Sequence, residues 1–433
     1  MRKMAIFASI CAGLGMSGAR AVDLSITGYV SQSIEANSNY LMLPTPNGPT
    51  YLPVSTVVLD ALARTPTMRM AATADWTYRQ FLGPGGELLL PALDRGFRGS
   101  FEKYENLGSY KIEGATRTQQ AQQLQLAETG VATVGGDVIT NWIEGGFKRQ
   151  LSYVDQITTS VRATSLDFTA PGSTPSFDLT STGTWTHRIN PLTDITAMVQ
   201  NETINYDNSA GSSSGGGTNV TIWRGTLGVN SRLTRSLSFS GAAGVVDLTL
   251  VQGGGAASIA LPVQVTTGQL ASGSALDWIA NMTMTYEINR NNTLLLAASQ
   301  SVGPDSLGLI RKFDLAGIAF THRINHAATL LFTGDFSHQP STVGTTDLYS
   351  AAATYDYEVA RDWHTSFSYR FRQRTGSFGD AESHAFFASI RYDFTILPSA
   401  TAQPPAPTRS DVGSLLSWPA AWIRPWRDAS WQR

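Results

Sequence analysis

The amino-acid sequence predicts an all-β protein, a transmembrane antiparallel β-barrel with up-and-down strand order, from three observations. Apolar and polar residues alternate along one segment after another, as in strands that have one apolar and one polar face. These segments run to roughly 10 to 14 residues, longer than the roughly 5 to 6 of soluble strands and close to the ~9 to 11 of a tilted membrane strand. No apolar run approaches the roughly 18 residues of a membrane helix.

The alternation is clearest near the C-terminus. DWHTSFSYRFRQRT at 362–375 has an aromatic face opposite a face with three arginines, and SHAFFASIRYDF at 383–394 also alternates. Alternation alone also fits a soluble sandwich or propeller with a dry core. Strand length, and the exchange of tight polar turns with long Gly/Ser/Thr loops such as 207–219 and 251–274, favour the membrane barrel.

The N-terminus predicts export. Residues 1–21 place Arg2 and Lys3 before a short apolar run and end in an A-x-A cleavage site, as in a secretory signal peptide. The single cysteine, Cys11, lies inside this segment, so the mature chain is expected to contain no disulfide. Without Arg2, Lys3 and Arg20 the chain has 28 basic and 33 acidic residues, which excludes a strongly basic nucleic-acid-binding protein.

A repeated turn sets the strand count. THRIN occurs at 186–190 and again at 321–325, and looser versions lie at 146–157, 230–239, 286–295 and 357–367. The spacing of roughly 33 to 57 residues corresponds to one hairpin plus its outer loop. Six such turns join twelve strands, and 23–36, 68–81, 110–120 and 383–394 add four more. We therefore expect about 16 strands over residues 22–394, although 14 or 18 also fit, because the region 82–109 is long for a tight turn.

The hairpin rhythm and the closing DWHTSFSYRFRQR and SHAFFASIRYDF segments resemble the outer-membrane β-barrel porins of Gram-negative bacteria, some of which are linked to exopolysaccharide gene clusters. The resemblance covers residues 23–394. It implies a cell outer-membrane location and a passive channel or a polymer-export conduit. It assigns no catalytic residue.

Charges on the expected inner face of the last strands are the candidates for solute selection. An arginine ladder opposite acidic residues creates a transverse field at a constriction and favours anionic or polyhydroxylated solutes through forked hydrogen bonds. A solvated wall of paired charges is the simpler alternative. The candidate pore-lining residues are Arg370, Arg372, Arg374, Arg391, Asp356, Glu358 and Asp393.

Aromatic residues on the expected outer face predict contacts with the membrane interface and with the assembly machinery. Tyr392 and Phe394 end the last strand, where barrel-assembly machinery reads an aromatic signal. Residues 395–433 then form a Pro/Trp-rich extension, which is expected in the periplasm. Aromatic residues expected near the tight turns, in an interfacial girdle, are Trp76, Tyr78, Trp185, Phe320, Tyr357 and Trp363.

The sequence favours a porin-like channel for passive diffusion of small hydrophilic solutes. Two alternatives remain: an exopolysaccharide export channel, and a surface receptor or adhesin barrel whose lumen is plugged by loops such as 36–66. The six histidines are scattered and no hydrolase or metal motif occurs, so neither an enzyme nor a cofactor or metal site is expected. Expected partners are outer-membrane lipid, lipopolysaccharide and the solute or polysaccharide. Small outward residues such as Ala351, Ala353 and Ala388 also allow a homo-oligomer.

Overall fold

The computed structural model describes residues 22–87, 89–128, 130, 135–170, 175–206, 218–252, 273–304, 310–341 and 344–398. The predicted signal peptide at 1–21, the extension from 399 onward and most of the Gly/Ser/Thr loops at 207–219 and 251–274 lie outside the described residues. Among the residues that the structure describes, no helix is long and apolar enough to cross a membrane.

Eighteen strands form one closed antiparallel barrel. Each strand pairs with its neighbours in sequence, and β18 pairs with β1 to close the ring. The strands are β1 (Asp23–Asn37), β2 (Thr50–Arg64), β3 (Met68–Arg79), β4 (Ala92–Glu105), β5 (Gly108–Gln120), β6 (Asp137–Gln150), β7 (Asp155–Phe168), β8 (Ser176–Asn190), β9 (Thr193–Tyr206), β10 (Thr218–Arg232), β11 (Leu237–Gln252), β12 (Gly273–Asn289), β13 (Asn292–Pro304), β14 (Ile310–Arg323), β15 (Ala328–Ser341), β16 (Gly344–Ala360), β17 (Trp363–Gly376) and β18 (Ala381–Leu397). Helix α1 (Ala121–Glu128) and a 3₁₀ turn (Pro84–Gly86) lie in the connections.

The barrel class is confirmed, and the strand count is 18, the upper of the two alternatives to 16. The two strands that the sequence count omitted are β2 and β4. In β2 the inward residues Leu52 and Val58 are apolar and buried, so the alternation is lost. In β4 the run Arg95-Gly96-Phe97-Arg98-Gly99 combines glycines and arginines as loops do, although in the structure it is a strand with Arg98 facing the lumen.

The connections differ sharply between the two ends of the barrel. At one end, which also holds the start of β1 and the end of β18, all strands are joined by short turns. These turns span residues 65–67, 106–107, 151–154, 191–192, 233–236, 290–291, 324–327 and 361–362. The opposite end carries longer connections such as 38–49, 80–91 and 121–136. Bacterial outer-membrane barrels have this asymmetry, with short turns and both termini in the periplasm.

The THRIN repeat is explained by its place at the short-turn end. In both copies Asn closes the turn: Oδ1 of Asn190 accepts the amide of Leu192 at 2.8 Å, and Oδ1 of Asn325 accepts those of Ala327 and Ala328, both at 2.8 Å. The histidine of each copy bonds to the strand before it, His187 to Asp155 at 2.8 Å and His322 to Asn292 at 2.6 Å. The two copies therefore solve the same problem, closing a turn and joining three strands.

The outer face is apolar, as a lipid-facing surface requires. Ile143, Val161, Leu227 and Val245 point outward and are each more than half exposed. A soluble protein would bury such side chains, whereas a barrel exposes them to hydrocarbon. Every strand of the ring is paired with a neighbour on each side over most of its length, so most backbone polar groups of the wall are satisfied without water. The fold is that of a transmembrane barrel of the bacterial outer membrane.

Candidate functional site

The inner face of β17, β18 and β1 holds most of the predicted charged residues. Arg370 donates to Oε1 of Glu35 on β1 at 3.2 Å, and its guanidinium lies 4.6 Å from the ring centroid of Phe387 on β18. Arg391 donates to Asp393 at 2.6 Å and lies 4.1 Å over the ring of Tyr29. Each of these two arginines is held against the wall by a carboxylate and an aromatic ring, so its guanidinium has a fixed orientation.

Arg372 lies above Arg370 on the same inner face. It is close enough to the carboxylates of Glu35 and Asp335 for their charges to act on it. Within the described residues, its buried Nε makes no hydrogen bond. Because this Nε is buried, it cannot itself bind a solute from the lumen, and the contribution of Arg372 to the wall is its positive charge beside Arg370.

Arg374 has a different environment from the other two arginines of the predicted ladder. Its side chain is 3% exposed, and it donates to the carbonyls of Gly130 at 2.7 Å, Phe378 at 3.0 Å and Gly379 at 3.2 Å. Gly130 belongs to the connection after β5, far around the ring from β17. Arg374 therefore ties the connection after β5 to the turn after β17, and it does not face open lumen.

The predicted acidic residues do not lie opposite the arginine ladder. Asp356 pairs in register with Ser366, and Glu358 with His364, both nearer the short turns than Arg370. Asp393 contacts His364 at 3.2 Å as well as Arg391. The carboxylate beside Arg370 is instead Glu35, which only the closure of the ring between β18 and β1 brings into place.

A second charged wall lies on β3 to β7, outside the site residues predicted from the sequence. Glu113 on β5 pairs with Arg98 on β4 and with Lys111 at 2.7 Å. Arg98 was missed because β4 was not recognised as a strand. Lys111 and Arg98 remain 40% and 48% exposed despite facing inward, so the lumen beside them is accessible to water.

Trp142 on β6 organises this second wall. The guanidinium of Arg162 on β7 lies 4.5 Å from its ring centroid, and that of Arg98 lies 6.0 Å away. Ala115 stands in register between Arg98 and Trp142, and its small side chain leaves room for that contact. Arg162 also donates to Glu144 at 2.8 Å. In the sequence, the spacing of two residues between Trp142 and Glu144 was the signal available for this cluster, because it places both side chains on the same face of the strand.

Two long connections fold toward the lumen at the end of the barrel opposite the short turns. Helix α1 begins beside β6 and β7, where Ala121 packs with Val138 and Leu166, and its far end reaches β15 and β16. There Gln339 donates to the carbonyl of Glu128, and Leu126 packs with Leu348. The α1 segment thus crosses the barrel mouth between distant strands.

The connection 38–49 packs against the α1 segment. Met42 is buried with Leu126, and the Tyr40 ring lies edge-on to Phe81 at 5.4 Å. Burial away from water raises the pKa of the Tyr40 phenol, which therefore stays neutral. The sequence suggested 36–66 as a plug. The structure shows that only 38–49 folds inward, whereas residues 50–64 are strand β2 of the wall.

The predicted interface aromatics all face outward but occupy both ends of the barrel. Trp185, Phe320, Tyr357 and Trp363 lie near the short turns, together with Tyr392, whose ring is 4.9 Å from that of Trp363. Trp76 and Tyr78 lie near the end of β3, beside the longer connection 80–91. That placement differs from the expectation, because the sequence did not show which way β3 runs.

Neither a protein-family model nor a curated protein matches this chain. Solved structures with a similar backbone fold include OccAB2 of Acinetobacter baumannii (8% identity, covering 86% of this chain and 98% of that chain, TM-score 0.46). Others are OccK8 (OprE) of Pseudomonas aeruginosa (8%, 86% and 98%, 0.47) and the ferric-catecholate import receptor Fiu of E. coli K12 (8%, 86% and 82%, 0.48). All three structures share only 8% of their residues with this chain.

Proposed function

We propose that the chain is an outer-membrane channel for the passive diffusion of small hydrophilic solutes. The observation that carries this proposal is a closed ring of 18 strands whose inward charged side chains keep contact with water. Arg117, for example, is 49% exposed although it faces the lumen. A barrel of this size is too wide to be filled by the side chains of its wall.

Among small solutes, the inner wall favours anionic or polyhydroxylated molecules. Arg370, Arg372 and Arg391 on one side and Arg98, Arg117 and Lys111 on the other offer directed N–H donors. Nearby carboxylates such as Glu35 and Glu113 offset part of the positive charge, so the wall does not select for anions alone. A solute that can both accept from guanidinium groups and donate to carboxylates fits this lining better than a simple cation.

Export of a polysaccharide is less well supported. The α1 segment and the connection 38–49 pack together across the barrel opening opposite the short turns, which limits the cross-section available to a polymer chain. The described residues offer nothing that favours a polymer over a small solute.

The experiment is conductance of residues 22–433, refolded in detergent and placed in a planar bilayer. We expect stable single-channel steps with a mild preference for anions. An Arg370→Gln/Arg372→Gln variant should shift selectivity toward cations. The matched control is Arg361→Gln, in a short turn outside the ladder. Arg374 is kept in this variant because its loss is expected to disturb the connections. Absence of any conductance from a barrel shown to be folded would overturn the proposal.

Assembly and lipid contacts follow from the same architecture. Tyr392 and Phe394 lie on the outer face at the short-turn end of β18, where assembly machinery in the periplasm can reach them. We infer that they form the assembly signal. Lipopolysaccharide and phospholipid are the partners of the outer face, and a homo-oligomer through β16 to β18 stays a prediction.

A further inference from the structure

The hairpin formed by β13 and β14 leaves the barrel wall near its tip. β13 pairs with β12 only from Asn292 to Gln300, and β14 pairs with β15 only from Asp314 to Arg323. Residues 301–304 and 310–313 pair only with each other. We call these two short stretches the inward hairpin. They are the described part of the tip, which departs from the ring on both sides.

The side-chain faces show in which direction the inward hairpin bends. Even-numbered residues of β13 and β14 face lipid lower in the barrel, as the 46% exposed Ile318 does. Val302 and Ile310 are on that same face, yet they are 4% and 0% exposed. They pack in one cluster with inward residues of β9 to β12. The cluster comprises Ile204, Tyr206, Val220, Ile222, Val246, Leu248, Ile279, Val302 and Ile310.

This arrangement places the inward hairpin inside the lumen. The face that would meet lipid in a regular barrel here covers the inner surface of the neighbouring wall. Such a contact is dry and apolar, so water is excluded from this part of the lumen. The inward hairpin therefore reduces the cross-section of the barrel on the side of β9 to β12.

The height at which the hairpin departs fits the bilayer. Outward residues at the level just below are Ala298 and Ala316, whereas at the point of departure they are Gln300, Asp314 and His338. These polar side chains place the point of departure near the level of the head groups, where the backbone groups of an unpaired strand edge can be satisfied. Gln300 itself donates to the carbonyl of Trp278 on the freed edge of β12, at 3.2 Å.

Two polar contacts fix the inward hairpin against the wall. Arg224 on β10 donates to the carbonyl of Val302 at 2.8 Å and to Oε2 of Glu202 on β9 at 2.6 Å. Its side chain and that of Glu202 are 8% and 7% exposed. Lys312 contacts Asp277 on β12 at 2.8 Å. A buried, charge-assisted bond from the wall to the hairpin backbone defines one docked position.

We propose that the inward hairpin is the size-determining constriction of the channel, and that Arg224 is its positioning residue. This inference rests on the proposed diffusion function. Solutes pass the remaining lumen beside the docked hairpin, so its removal admits larger molecules without altering the charged walls on β17 to β1 and β3 to β7. Arg224 touches no solute and acts by holding Val302 in place.

The first experiment replaces residues 301–313 by a short Gly/Ser turn in the 22–433 chain. Folding is verified by the mobility of unheated samples on a gel. We expect larger conductance and passage of neutral polyethylene glycols that the wild type excludes, with anion preference unchanged. Arg224→Gln should give unstable steps that reach toward the larger value, whereas Arg232→Gln, on the same strand near the short turns, should not. A folded replacement variant with wild-type conductance and wild-type polymer exclusion would overturn the proposal.

The second experiment tests docking without relying on conductance. An Asp277→Cys/Lys312→Cys variant, made in the 22–433 chain that has no other cysteine, is treated with a short bismaleimide. Efficient bridging in the folded barrel, with wild-type conductance retained, supports a docked hairpin at rest. Failure to bridge contradicts docking. If the wild type does not conduct but the bridge forms, the diffusion function fails while the docked hairpin stands. Conductance gained on replacement would then still show that the hairpin closes the lumen.

Discussion

Arg370 on β17 donates to Glu35 on β1 at 3.2 Å, a contact that reaches across the intervening strand β18. These residues are separated by nearly the whole barrel in sequence and meet only because the ring closes. Their side chains are 26% and 11% exposed, so the pair is partly shielded from water. The contact offsets one positive charge of the arginine ladder and thereby sets the charge balance of that wall.

Neutralising Glu35 should therefore increase anion preference. In Glu35→Gln the guanidinium of Arg370 loses its carboxylate and turns its full charge toward the lumen. A charge contact worth roughly 0.5 to 1 kcal/mol corresponds to about a two- to five-fold change in the permeability ratio. Reversal potential in a salt gradient measures it, with Glu382→Gln on the outer face as the control. An unchanged ratio would show that this wall lies outside the conducting path.

Replacing Arg374 should affect stability and loop order more than selectivity. Arg374→Met leaves the buried carbonyl of Gly130 and the partly buried hydrogen bonds to the carbonyls of Phe378 and Gly379 without their donor. Each unsatisfied buried group costs on the order of 1–3 kcal/mol. We expect the temperature at which the folded band disappears on a gel to fall, and current noise to rise. Arg374→Lys should recover part of the loss. A normal melting behaviour with lost anion preference would instead assign Arg374 to the filter.

The two THRIN turns provide an internal comparison of turn closure. Asn325 accepts two amide hydrogen bonds and Asn190 accepts one. Asn325→Ala should therefore destabilise the barrel more than Asn190→Ala, by about 0.5–1.5 kcal/mol for the additional bond. Urea unfolding in detergent micelles compares the two variants. Equal midpoints would mean that the turn contributes through backbone geometry alone.

Particular residues show how far the sequence could predict this molecule. Trp185, Trp363 and Arg370 lie on strands of clean alternation, and their faces follow from period two alone. Strand β2 was not recognised because Leu52, which packs under the connection 38–49, and Val58 are apolar although they face inward. Strand β4 was not recognised because its glycines and arginines resemble a loop. Glu35, Arg224 and Val302 could not be assigned, since ring closure and the bend of a hairpin are contacts between distant segments. The alternation pattern therefore predicts which face of the strand a residue occupies, whereas its contact partner depends on how distant strands meet when the ring closes.

Gly244 on β11 is expected to tolerate no side chain. A Cβ there would lie 1.8 Å from the carbonyl oxygen of Gly225 and 2.7 Å from Cα of Thr226, both backbone atoms of β10. Gly244→Ala should destabilise the barrel by about 1–3 kcal/mol or reduce refolding yield. Gly225→Ala is the matched control, because a Cβ at Gly225 meets nothing within 4 Å. Similar refolding of the two variants would contradict close packing between these strands.

Accessibility of introduced cysteines tests which face of the barrel is wet. Arg98 faces the lumen and its side chain is 48% exposed, whereas Ile143 points outward and is 58% exposed to the surroundings of the barrel. The chain from residue 22 onward has no cysteine, so single substitutions give an unambiguous signal. In liposomes, a charged, membrane-impermeant thiol reagent should label Arg98→Cys quickly and leave Ile143→Cys unlabelled, because lipid covers the outer face. In a soluble sandwich both faces would behave differently: the polar side would meet bulk water without liposomes, and Ile143→Cys would be buried in a core. Labelling of Ile143→Cys with protection of Arg98→Cys would reverse the assignment of inside and outside, and with it the proposal of a water-filled lumen.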